Sequence, residues 1–184
     1  QLQAENERLR AELQKQLKQQ AGKDTQSDTP ADGEPTDKGQ GDSLLILGAV
    51  IGALALEGRD KVSIYSTESV TSFGNWIEQL IAESLGKEGK GALPVVGATI
   101  GHPHDYVTDR LFVYLRVDDD SDKAKKDAAI KTLREAGHPR FTVRIPNKYG
   151  IAGEFFRWEY ATAIAGAMLE VNPFDEPNVT EAKD

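Results

Sequence analysis

The alternation of apolar and polar positions divides the chain into three stretches. Residues 1–20, QLQAENERLRAELQKQLKQQ, are dominated by helix formers, with Leu2 and Leu9 seven apart and Asn6 and Leu13 likewise. That spacing predicts a helical extension with a short coiled-coil-like seam. Two heptads do not hold together in water on their own, so a solvated helix is favoured over a dimerisation element. Residues 21–43 contain no Leu, Ile, Val, Met or aromatic residue and are rich in Asp, Gly, Thr, Pro and Lys. With nothing to bury, 21–42 reads as a disordered linker, and the folded domain is expected over 43–184.

Within that domain the pattern switches between helical and strand periods. Asp42 or Ser43 is expected to cap a helix over Leu44–Glu57 that Gly58 stops, and KVSIYST (Lys61–Thr67) has the β-branched and aromatic content of a strand. Val70, Phe73, Ile77, Leu80, Ile81 and Leu85 share one side of a helix over Val70–Leu85. Short strands follow at Ala92–Gly97 and Arg110–Val117, then a charged helix over 118–137, a strand at Arg140–Pro146 and a long helix over Gly150–Glu170. Strands alternating with helices predict an α/β fold, a three-layer sandwich with a mostly parallel sheet, preceded by the helical segment and linker. Ligands in such sheets sit at the carboxyl ends of the strands. The loops 86–91 and 97–109 would lie on a rim of the sheet, but the sequence does not say which.

Composition narrows the chemistry. The net charge is −8, which argues against nucleic acid or an anionic membrane as the partner. The chain has no cysteine, so disulfides, thiolate metal sites and cysteine nucleophiles are excluded, and a cytoplasmic location is expected. Three histidines, His102, His104 and His138, leave little for a metal site, and neither metal nor cofactor is expected. The most apolar run, Leu44–Leu56, is too short to span a bilayer and reads as a buried helix. The chain opens on Gln1 rather than Met and shows no signal peptide, which raises the expectation of a fragment.

Few residues are placed for chemistry. Gln79 and Glu83 lie four apart on one helical face and present an amide and a carboxylate to the same neighbour, which suits holding a polyol and taking a proton from it. Glu83 stands near the negative pole of its helix, a position that suits a proton acceptor. Spacing alone favours a plain exposed polar face. Lys87 and Lys90, set among glycines, could attract a phosphate or sit in a solvated turn; GKEGKG is not a Walker A loop. The tail NPFDEPNVTEAKD brackets a turn between Pro173 and Pro177, anchored by Phe174, and carries Lys183, which is otherwise an exposed terminal lysine. Asn178-Val179-Thr180 matches a glycosylation acceptor by chance. Asp118, Asp119, Asp120 and Asp122 could bind a hard cation, but their place at a helix start favours capping.

The stretches QLIAESLGKEGKG (79–91) and GEFFRWEYATAIAGAMLEVNPFDEPNVTEAK (153–183) together resemble the second sugar-isomerase (SIS) domain of glucose-6-phosphate isomerases. The likeness extends over 43–184 and is greatest to the isomerase half of fused transaldolase/glucose-6-phosphate isomerase proteins. The resemblance implies interconversion of an aldose and a ketose phosphate through an enediol. It implies Glu83 as the base in the motif Glu83-Ser84-Leu85-Gly86-Lys87, and Lys183 as the ring-opening lysine. Gln79, Ser84, Gly86 and Lys87 become substrate-binding residues. The chain departs from the family turn at Glu176 and Asn178, and the surroundings of His104 do not match those of the family's histidine. The resemblance further implies a sugar phosphate as substrate and the family's first SIS domain as partner, the latter carrying the phosphate loop and an arginine. A transaldolase domain and homo-oligomerisation are open partners. Low activity is expected of the isolated chain. A non-catalytic phosphosugar-binding SIS module is the second reading, and an interaction protein acting through 1–20 is the third.

Overall fold

The computed structural model describes residues 40–87 and 89–175. The extension 1–20, the linker up to residue 39, and Glu176, Asn178 and Lys183 lie outside the described residues. The elements run α1 (Gln40–Leu56), β1 (Lys61–Ser66), α2 (Thr71–Leu85), β2 (Leu93–Val96), β3 (Arg110–Val117), α3 (Lys123–Glu135), β4 (Arg140–Ile145) and α4 (Ile151–Leu169). The four strands form one sheet in the order β2-β1-β3-β4. All its pairs are parallel, with Lys61 opposite both Leu93 and Arg110, and Phe112 opposite Arg140.

A parallel sheet needs both faces covered, and here the cover is unequal. Val62, Ile64, Leu111, Val113, Leu115, Val143 and Ile145 point into the larger core with the apolar sides of α1, α2 and α4. The alternate positions Tyr65, Phe112 and Tyr114 face the other way and meet Ile130 and Leu133 of α3, with Ile100 and Tyr106 from the β2–β3 connection. Period-two alternation thus divides β1 and β3 between two cores. The apolar positions read for α2 are borne out: Val70, Phe73, Ile77, Ile81 and Leu85 are buried and Leu80 half-buried.

The apolar run 44–56 is helical, as expected, but only partly buried: Leu47, Ala49 and Ile51 are enclosed, whereas Leu45 and Leu56 are exposed. It lies close against α4, because a side chain at Gly52 would come within 2.8 Å of Met168 Cβ, and one at Gly48 would overlap the Ala161 backbone. Among the described residues no helix is long and apolar enough to cross a membrane. α1 starts at Gln40, inside the stretch assigned to the linker. Asp42 and Ser43 are therefore helical residues rather than a cap.

The charged stretch 118–137 also differs from expectation. Its helix begins only at Lys123, and the Asp122 side chain makes no cap bond there. The aspartates cap a different element instead. Asp120 Oδ2 accepts from the Ser69 amide (3.0 Å) and hydroxyl (2.8 Å), and Asp122 Oδ1 accepts from the Glu68 amide (3.3 Å). Residues 68–70 are the single 3₁₀ turn that leads from β1 into α2. An amide donor at a helical N-terminus satisfies any nearby carboxylate, local or not.

Candidate functional site

The topology decides which rim the candidate residues occupy. β1 and β2 are parallel, so α2 runs from the carboxyl ends of the strands back to their amino ends. Glu83, in the last turn of α2, therefore stands at the amino rim. α4 starts beyond the carboxyl end of β4 and returns to the same rim. The two helices meet near their starts at Trp76, which stacks on Phe73 (5.2 Å between centroids) and meets the edge of Phe155 (4.5 Å).

The crevice at the carboxyl ends, between β1 and β3, is the place where this strand order reverses and where such sheets usually take ligands. Here the chain fills it. The amides of Glu68 and Ser69 are committed to Asp122 and Asp120, and Lys126 bonds the Ser66 carbonyl and pairs with Asp122 at 2.7 Å. Desolvation alone would raise the pKa of Asp120. The hydrogen bonds from Ser69 and Thr67 outweigh it and hold the carboxyl below its ordinary value. An internal carboxylate thus occupies the anion position at this turn.

At the amino rim the picture is open. Gln79 and Glu83 are exposed, on the side of α2 opposite its buried face, and the Gln79 Nε2 amide donates to Glu83 Oε1 at 3.1 Å. That bond uses one donor of the amide and leaves its carbonyl and second N–H for another partner. Ser84 is half-buried beside Glu83. The helix ends at Gly86, where a side chain would stand 2.7 Å from the Ala82 carbonyl oxygen. The Gly86 and Lys87 amides are donated to Ala82 O (3.2 Å) and Leu85 O (2.9 Å). The Lys90 amide closes the loop onto Lys87 O at 2.9 Å. Gly91, at φ +120°, folds back so tightly that any side chain would overlap the Leu85 carbonyl.

Lys87 does not face the solvent with Glu83. Its side chain is 3% exposed, and the ammonium donates to Asn172 O (2.9 Å), to Asp175 Oδ1 (2.6 Å) and to Asp175 O. The tail it holds is built step by step. Glu170 takes the left-handed conformation that ends α4, at φ +60°. The Val171 amide returns to Gly166 O at 3.0 Å, Pro173 lies against Gly166, and Asn172 Oδ1 accepts from the Phe174 amide at 3.1 Å. Phe174 itself is 83% exposed, so the expectation that it anchors the turn is overturned. A buried cation holds the turn because three oxygens compensate its desolvation more fully than one ring could bury itself at the surface. Sequence spacing gives no sign of this pairing, since the partners are 85 and 88 residues apart.

His104 lies in the β2–β3 connection, exposed and 3.4 Å from Asp105, and His138 bonds Pro103 O at 3.0 Å. A depression of about 220 Å³ between α3, β3 and β4 lies on the other face of the sheet from α2. Its Arg116 is bound to Asp127 at 3.0 Å and its Lys131 to Glu135 at 3.7 Å.

No protein-family model matches the chain. It is 29% identical over 174 residues to a probable glucose-6-phosphate isomerase of Methanococcus maripaludis, covering 75% of this chain and 39% of that protein. It is 29% identical over 180 residues to the glucose-6-phosphate isomerase of Rubrobacter xylanophilus, covering 73% and 41%. The chain thus spans about two-fifths of the length of these relatives, and it is distantly related to them. Among solved structures, a hypothetical protein from Thermus thermophilus superposes with a TM-score of 0.56 at 21% identity, over 77% of this chain and 48% of that one. That likeness speaks for the fold alone.

Proposed function

We infer that this chain is the second SIS half of a glucose-6-phosphate isomerase and interconverts glucose 6-phosphate and fructose 6-phosphate once the first half is present. The observation that carries this reading is the Gln79–Glu83 pair, an amide bonded to a carboxylate at 3.1 Å on an open rim, in the motif where the family places its base. Glu83 takes the proton from C2 of the open-chain aldose and returns it to C1 of the enediol, so the reaction needs no redox partner. Gln79 orients the carboxylate and keeps hydrogen-bonding capacity for a sugar hydroxyl. Lys183 assists ring opening. It follows Asp175 by eight residues and lies outside the described residues.

The reading that the chain binds phosphosugar alone is disfavoured by Asp120 and Asp122, which occupy the crevice where a phosphate would otherwise sit. The phosphate site is therefore assigned to the first SIS half. The test is isomerisation by this chain alone and mixed with a separately produced first SIS domain of the family, each with and without Glu83→Gln. Activity restored by mixing and lost in the variant is the expected result. No activity in the mixture, or full activity with Glu83→Gln, overturns the proposal.

A further inference from the structure

We propose that Lys87 is a positioning residue rather than a phosphate ligand: it fixes the turn at Asn172–Asp175 to the end of α2, and so holds the last turn of α2, with Glu83, in place. The statement about Glu83 rests on the function proposed above; the clamp itself rests on geometry alone. An ammonium has three protons to donate. Those of Lys87 meet Asn172 O, Asp175 O and Asp175 Oδ1, so a phosphate would find no donor left. The side chain is 3% exposed while Asp175 is 49% exposed, so the cation is enclosed by the turn and only the carboxylate edge reaches water. Two of the three acceptors are backbone carbonyls, which bind the course of the chain rather than the identity of its side chains. The Lys87 backbone is fixed in turn through the Lys87 amide to Leu85 O and the Lys90 amide to Lys87 O. The last turn of α2, which carries Glu83 and Ser84, thereby becomes rigidly joined to the tail.

The test compares Lys87→Met and Asp175→Asn with the full chain. Hydrogen–deuterium exchange at the Val171 and Phe174 amides is read on the chain alone, and kcat and KM are read on the mixture with the first SIS domain. In Lys87→Met both amides should exchange at least about tenfold faster, with kcat falling about tenfold or more and KM for fructose 6-phosphate within about twofold. Asp175→Asn keeps the lysine and both carbonyls, and should move the same quantities less. It stands in if Lys87→Met fails to fold. Unchanged exchange in the variants overturns the clamp. A rise in KM with kcat intact shows a phosphate ligand instead, and faster exchange with unchanged kcat shows a clamp without a positioning role. Either overturns the proposal. A wild-type mixture without activity refutes the function proposed above, while the exchange experiment still decides the clamp.

Discussion

Gly89 and Gly91 stand two residues apart in the loop after α2, and both have positive φ, yet alanine should affect them very differently. At Gly89, φ is +68° and nothing lies within 4 Å of an added Cβ. Gly89→Ala therefore costs about 1 kcal/mol for the left-handed conformation, partly offset by about 0.5 kcal/mol from a stiffer unfolded chain. At Gly91, φ is +120° and the added Cβ would overlap the Leu85 carbonyl oxygen. The unfolded-chain contribution is the same and cancels in the comparison. What remains is a worse backbone conformation, about 1 kcal/mol more, and a displacement of more than about 1 Å to restore van der Waals contact. That displacement breaks the 2.9 Å bond from the Lys87 amide to Leu85 O and disturbs a Leu85 side chain that is fully buried. A broken bond and a disturbed core contact add about 2 kcal/mol. The difference between the variants is about 3 kcal/mol, or about 10 °C in melting temperature for a domain of this size. Thermal unfolding followed by circular dichroism measures it. Equal melting temperatures would refute the reasoning, since the loop would then yield without moving the end of α2.

Under the proposed function, Glu83→Gln should lower kcat of the mixture with the first SIS domain by about a thousandfold while changing stability by less than about 0.5 kcal/mol, because the side chain is exposed; turnover and urea unfolding on one preparation check both. Asp120→Ala removes the cap on the Ser69 amide and should cost about 1 kcal/mol at pH 7, measured by urea unfolding. The Asp120 carboxyl is held below its ordinary value in the folded chain, so its contribution is complete above the unfolded value near about 4 and is lost as pH falls through the folded one. Asp120→Asn should accordingly show a shallower fall in stability than the parent below about pH 4. Trp158→Ala empties the largest fully buried site, between α4 and the sheet, and should cost about 3–5 kcal/mol by the same measurement.

Among the described residues, the sequence by itself determined the main helices and strands and the buried side of α2. Apolar residues at helical spacing give α2 a buried face that cannot be shifted without burying Gln79 and Glu83, so their shared exposed face was legible before any coordinates. The strands were legible from short runs of β-branched and aromatic residues bounded by turns, although β4 leaves Arg140 and Arg144 exposed. Boundaries slipped where the ends are set by partners distant in sequence. The aspartates before α3 cap residues 68 and 69, because a carboxylate pairs with whichever open amide lies nearest in space. Only the tertiary structure decided that the candidate site lies on the amino rim, which follows from the parallel pairing of β1 and β2, and that the carboxyl-end crevice is already filled. It alone joined the Lys87 ammonium to the oxygens of Asn172 and Asp175. A lysine among glycines reads as a free cation until a turn 85 residues away supplies the oxygens that bury it. Local sequence reports what a residue can do; long-range packing selects the partner that uses it.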